Sequence, residues 1–161
     1  MPRRLLLASL MLTLSAPVSA QPSSALVVKH PDGSETTLTT LSLAQLPRLT
    51  GRATAHGKSW SWEGVDLREV LRAAGVTPVD SLRGPQLRRV IMLVGADGYR
   101  AAIALSEIDP TIGGRRAIVV DREDGAALPQ AEGPRRIIIE ADVRPTRWVR
   151  QLIRIDVVDL P

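Results

Sequence analysis

The stretch from Gly133 to Val158 constrains this chain most, because two strand-like runs there enclose a polar corner. Gly133-Pro134 makes a turn and is followed at once by Arg135 and Arg136. Ile137-Ile138-Ile139 then reads as a buried strand, since β-branched side chains suit a packed, pleated surface. A polar loop from Glu140 to Pro145 leads to Arg147-Trp148-Val149-Arg150. From Leu152 to Val158 a second strand is expected, with Ile153, Ile155 and Val157 alternating with Arg154 and Asp156. Two strands thus carry two arginine-bearing corners. Arginine presents a planar fork of donors that suits carboxylate and phosphate, so the stretch points to anion binding rather than to bond-making.

The same mixture of short strands and turns continues upstream. Ala25 to Lys29 and Glu35 to Leu38 read as strands joined by the turn Pro31-Asp32-Gly33-Ser34. Ser42 with Gln45 fits a capping box, Leu41 with Leu46 a hydrophobic staple, and Pro47 ends that short helix. Thr50 to Lys58 is polar and reads as extended. Trp60 and Trp62 flank Ser61, so on a strand both indoles face one way, as core or pocket wall. The best-defined helix starts at Asp66, with Glu69 completing a capping box and Leu67, Val70, Leu71 and Ala74 forming its apolar stripe. Gly75 stands where a left-handed residue closes a helix. Val90 to Val94, the turn Asp97-Gly98 and Tyr99 to Leu105 form a hairpin signature. Ala117 to Val120 is another strand, and Asp124-Gly125 the next turn. No repeat or linker interrupts the chain. The fold class is α+β, a single β-rich mixed domain over residues 21–161.

The start of the chain is of a different kind. Arg3-Arg4, the apolar run Leu5 to Leu14 and the small residues Val18-Ser19-Ala20 form a secretory signal peptide over residues 1–20. The run is too short to span a bilayer, and Pro2 and Leu5 fit the twin-arginine pattern poorly. A periplasmic or secreted protein without a membrane span is expected, cut between Ala20 and Gln21. Cleavage removes Arg3 and Arg4 and no acid, so the formal charge falls from +4 to +2. That balance, with three Trp, one Tyr and no Phe, does not suit nucleic acid. Arginine outnumbers lysine 19 to 2, so single surface arginines carry little information and only clustered ones count.

Catalytic machinery is not visible. The chain has no cysteine, which removes thiol chemistry and any thiolate-held metal. His30 and His56 stand at unrelated spacing, no Gly-x-Ser-x-Gly elbow occurs, and the acids at 32, 97 and 124 sit in turns. Gly113-Gly114-Arg115 reads as a glycine turn, with an anion-binding nest as the alternative. No catalytic residue and no metal ligand is therefore assigned.

The order of motifs resembles the oxidoreductase molybdopterin-binding domain of the sulfite oxidase family. The resemblance rests on Trp62-Glu63-Gly64-Val65-Asp66-Leu67, Ala96-Asp97-Gly98-Tyr99 and Leu105-Ser106-Glu107-Ile108, and continues through Leu128-Pro129, Gly133-Pro134-x-Arg136 and Arg147-Trp148-Val149. It implies that fold, molybdopterin as the cofactor, and an oxidoreductase ancestry. The family's enzymes hold molybdenum through a cysteine ahead of the Trp motif. The matching stretch, about Thr50 to Trp60, contains none. Arg136 matches the family arginine near the pterin phosphate, and Arg147 its basic residue before Trp. Arg135 replaces an apolar residue there, and Glu140 a proline. Arg136, Arg147, Trp148, Gly133 and Tyr99 are the candidate ligand-binding residues, with both guanidinium groups expected on one anion; the alternative is that each pairs with a nearby acid such as Glu140 or Asp142. Three functional readings follow. One is a non-catalytic exported domain that binds an anionic small molecule or a periplasmic partner protein. Another is a molybdenum-cofactor oxidoreductase whose metal is held by the pterin alone. The third is a structural or interaction module without a ligand.

Overall fold

Turn chemistry sets most of the chain reversals in the computed structural model, which describes residues 25–161. The expected signal peptide lies outside the described residues. Strands β1 (Leu26–Lys29) and β2 (Glu35–Leu38) form a hairpin. In its turn the Asp32 carboxylate accepts from the Ser34 N–H at 2.9 Å and the Ser34 hydroxyl at 2.6 Å. Helix α1 (Thr40–Ala44) is capped by Thr39, whose hydroxyl accepts from Ser42 N–H, so Ser42 is not the cap. Leu41 is 78% exposed and makes no staple; Leu43 is the buried residue. Burying Leu43 selects the earlier threonine.

The polar stretch ahead of Trp60 is a strand with a partner. Strands β3 (Arg48–Ala55) and β4 (Lys58–Asp66) form a long hairpin whose turn, His56-Gly57, has positive φ at both residues (51° and 75°). Gly51 stands opposite Trp62, and a Cβ there would overlap the indole. Helix α2 (Leu67–Ala73) begins as expected, with the Asp66 carboxylate accepting from Arg68 N–H. It ends in a complete Schellman motif: Gly75 has φ +91°, its N–H donates to Arg72 C=O, and Val76 N–H donates to Leu71 C=O. Glu69 pairs with Arg72 instead of closing the box.

Strands β5 (Arg89–Gly95) and β6 (Arg100–Ala104) form the hairpin expected at Asp97-Gly98. Helix α3 (Leu105–Ile108) is a single turn. Strand β7 (Ala117–Glu123) is followed by the Asp124-Gly125 turn, both residues at positive φ, and by β8 (Ala126–Ala127). Strand β9 (Arg136–Ile139) and β10 (Leu152–Asp159) bracket the arginine corners. A bulge between Leu152 and Arg154 shifts the alternation, so Leu152, Ile155 and Val157 face inward while Ile153 is half-buried.

Two five-stranded sheets result. One has the order β2-β1-β10-β5-β6, with β1 and β10 parallel; the other runs β3-β4-β7-β8, with β9 also on β7. They share one core, in which Leu26, Ile91 and Ile155 of the first sheet join Trp62, Ile118 and Ile138 of the second. No helix among the described residues is long and apolar enough to cross a membrane.

One buried acid ties the region before β5 to the end of α3. Asp109 is fully buried. Burial acts to raise its pKa, but hydrogen bonds from Leu82 N–H and from the Thr111 hydroxyl and N–H outweigh it and hold the carboxyl at about 2. A folded-state pKa below the ordinary carboxylate value stabilises the fold above the unfolded pKa, and that contribution is lost as pH falls. The stability difference between wild type and Asp109→Asn is therefore expected to be largest above about pH 4 and to shrink toward about pH 2. Urea unfolding of both proteins across that range measures it. A difference independent of pH would mean that Asp109 is not held as a carboxylate.

Candidate functional site

Strand β4, the start of β9 and the turn before β10 bring three side chains to one place. Trp60 lies on β4 opposite Ala53 of β3. Trp148 follows a short 3-10 turn, Pro145–Arg147, and its Nε1 donates to Ile139 C=O at 3.1 Å, which fixes its ring. The two indoles meet edge to face, with centroids 6.3 Å apart and planes at 81°. Arg136, the first residue of β9, lays its guanidinium 5.6 Å from the Trp60 centroid and 6.0 Å from that of Trp148.

These residues wall an open cleft of about 660 Å³, within the range of small-molecule sites, roughly 300–1,000 Å³. The β3–β4 hairpin contributes His56 and Lys58 to its rim, the end of β7 contributes Glu123, and the β7–β8 turn contributes Asp124. Glu132 and Arg150 complete the charged lining. Cations and acids are balanced there. Arg136 Nη1 lies 2.9 Å from Glu132 Oε2 and 3.9 Å from Glu123 Oε2, and Arg150 Nη1 lies 3.6 Å from Glu132 Oε1. Asp124 is occupied by the N–H and hydroxyl of Ser61, the first of which lowers its pKa most. Two buried donors of the walls, Trp60 Nε1 and Arg136 Nε, have no acceptor among the described residues.

The structure separates the five sequence candidates. Arg136 and Trp148 line the cleft. Arg147 does not reach it, although the main chains of the two corners do run side by side, with Ile137 N–H donating to Val149 C=O and Leu152 N–H to Arg135 C=O. Its side chain turns away: Nε and Nη2 grip Asp142 at 3.0 and 2.6 Å, and Nη1 reaches Glu107 at 3.2 Å. Hydrogen bonding to Asp142 is the main reason its pKa is raised. Of the two arrangements open to it, Arg147 takes the one in which it pairs with nearby acids, and the structure does not bring it to the cleft beside Arg136. The Tyr99 hydroxyl donates to Thr146 C=O at 2.6 Å, and the residue lines an adjoining cavity of about 190 Å³ that shares Pro145, Trp148 and Arg150 with the cleft. Gly133 does not line the cleft; its N–H donates to Pro129 C=O at the base of the loop carrying Glu132. Arg135 points to the opposite side of β9, with Nη2 3.4 Å from the Thr40 hydroxyl.

Glu132, Glu123, Lys58 and Arg150 were not among the sequence candidates. Glu132 stands four residues before Arg136, and that spacing was its only local signal; Glu123 and Lys58 reach the cleft through sheet pairing, which no local pattern records.

Residues 25–161 match the oxidoreductase molybdopterin binding domain family. The chain belongs to that family. Among solved structures it is similar to the sulfane dehydrogenase SoxCD from Paracoccus pantotrophus, with a TM-score of 0.66 and 16% identity. The match covers 88% of this chain and 39% of that chain, so at this identity the likeness is one of fold. No curated protein matches.

The side chains present do not fit a molybdenum centre. The sequence has no cysteine, and among the described residues no three His, Cys, Asp or Glu side chains cluster as metal ligands. The cleft's lining combines two indoles, packed edge to face, with the Arg136 guanidinium that lies against both.

Proposed function

We propose that this protein is an exported, non-catalytic member of the family that binds a flat anionic ligand, pterin-like in shape, in the cleft that Trp60, Trp148 and Arg136 line. The observation that carries this reading is the cleft lined by Trp60, Trp148 and Arg136, in whose walls Trp60 Nε1 and Arg136 Nε are buried donors without an acceptor among the described residues. A buried donor left unsatisfied costs about 1–3 kcal/mol, and a ligand acceptor drawn in beside it would relieve that cost. The family's cofactor has a pterin ring and a phosphate, which match an indole-walled, arginine-bearing cleft in chemical type. Export to the periplasm or beyond is supported by the Arg3-Arg4, Leu5 to Leu14 and Val18-Ser19-Ala20 pattern.

Calorimetric titration with pterin-6-carboxylate tests the ligand, and elemental analysis of protein recovered from its native export route tests the metal. The expected result is saturable binding of the pterin and molybdenum far below one atom per chain. Near-stoichiometric molybdenum would instead support an oxidoreductase whose metal is held by the pterin alone. Absence of pterin binding would remove the cleft from consideration as a ligand site.

A further inference from the structure

We propose that the Glu132 carboxylate occupies the anion position of this cleft in the unliganded protein, and that a bound anion must displace it. This rests on the cleft being the ligand site proposed above. Glu132 bridges two guanidinium groups, with Oε2 2.9 Å from Arg136 Nη1 and Oε1 3.6 Å from Arg150 Nη1. A bound carboxylate or phosphate would sit between the same two groups, because arginine forks favour planar and tetrahedral oxyanions.

The hold is incomplete in a way that allows exchange. Glu132 Oε2 is buried and lacks a well-aligned hydrogen bond despite the short ion-pair distance, and Arg136 Nε has no acceptor. Arg136 is therefore engaged at one nitrogen, whereas an oxyanion can engage a guanidinium at two. The main chain of Glu132 is anchored independently. Its N–H donates to Pro129 C=O at 2.9 Å and its C=O accepts from Gln151 N–H at 2.9 Å. Release needs only a side-chain rotation, and the side chain is already 24% exposed at the cleft. A weakly held internal carboxylate then acts as a selectivity filter. A ligand must offer the two arginines more than the incompletely engaged Glu132 carboxylate does, which favours dianionic or bidentate groups over neutral flat molecules.

Glu132→Gln removes the competing charge and keeps the shape and both main-chain bonds. It is expected to bind pterin-6-carboxylate about tenfold tighter than wild type in calorimetric titration at fixed ionic strength. Glu123→Gln removes a charge from the same cleft but one lying 3.9 Å from Arg136, and is expected to gain less than about threefold. Near-ultraviolet circular dichroism checks that each variant is folded. Should Glu132→Gln not fold, Glu132→Asp keeps the charge but draws it back by one methylene, and a tighter complex is again expected. If wild type binds and Glu132→Gln binds no better, displacement is overturned while the cleft remains a ligand site. Equal gains in both Gln variants would reduce the effect to net charge and also overturn it. Absence of binding by all the proteins would overturn the ligand site itself, and this proposal with it.

Discussion

Trp62→Ala is expected to lower the free energy of unfolding by about 3–5 kcal/mol, the cost of truncating a large buried aromatic residue. Trp60→Ala is expected to cost much less and to weaken pterin binding instead. The two tryptophans share one strand face but not one environment. Trp62 is 1% exposed and lies across Gly51 of the neighbouring strand, where the absent Cβ makes room for the ring. Nothing nearby could fill that space after truncation, because the opposite position has no side chain. One term works the other way: Trp62 Nε1 is buried without an acceptor, so deleting it recovers part of its burial cost. The expected value therefore falls toward the lower end of the range. Against a total of about 5–15 kcal/mol for a typical domain, such a loss would leave a marginal fold. Urea unfolding followed by circular dichroism measures it. A loss below about 1 kcal/mol would show that the indole is not a core element.

Arg136→Ala is expected to weaken pterin-6-carboxylate binding at least tenfold, from the loss of a charge-assisted hydrogen bond contributing about 1.5–3 kcal/mol. Arg147→Ala is expected to change that affinity by less than about threefold and to act on stability. Its guanidinium grips Asp142 through two nitrogens and Glu107 through the third, and Arg115 approaches the same two acids at 3.2 and 3.8 Å. The four charges hold the loop bearing Pro145 and Trp148 to helix α3 and to the segment before β7. Removing Arg147 leaves the largely buried Asp142 carboxylate with Arg115 alone, at an expected cost of about 1–2 kcal/mol. Arg88→Ala, remote from both corners, is expected to alter neither property. Titrations and melting curves on the three variants separate the roles. Equal loss of affinity for Arg136→Ala and Arg147→Ala would restore the shared anion site that the two corners suggest in sequence.

Much of the fold was legible because it depends on neighbours in the chain. Asp66 caps its helix through the N–H two residues on, and Gly75 adopts φ +91° because a helix there must close in a left-handed residue. The turns at Asp32-Gly33, Asp97-Gly98 and Asp124-Gly125 declare themselves for the same reason. The family resemblance was legible too, since it rests on short motifs in a set order. Where several local choices were equally good, burial decided, as when Leu43 selected Thr39 over Ser42 as the cap of α1. The cleft lay beyond such reading. Its arginines, tryptophans and carboxylates come from β4, β7, the loop before β9, β9 and the turn before β10, and sheet pairing together with the hydrogen bonds of that loop sets which of them meet. By itself the sequence determined that Arg136 and Arg147 leave two separate corners, each beside a strand. Only the tertiary structure decided that Arg136 enters the cleft while Arg147 is retained by Asp142 and Glu107, because a guanidinium on a long flexible stem goes where the folded chain places acceptors.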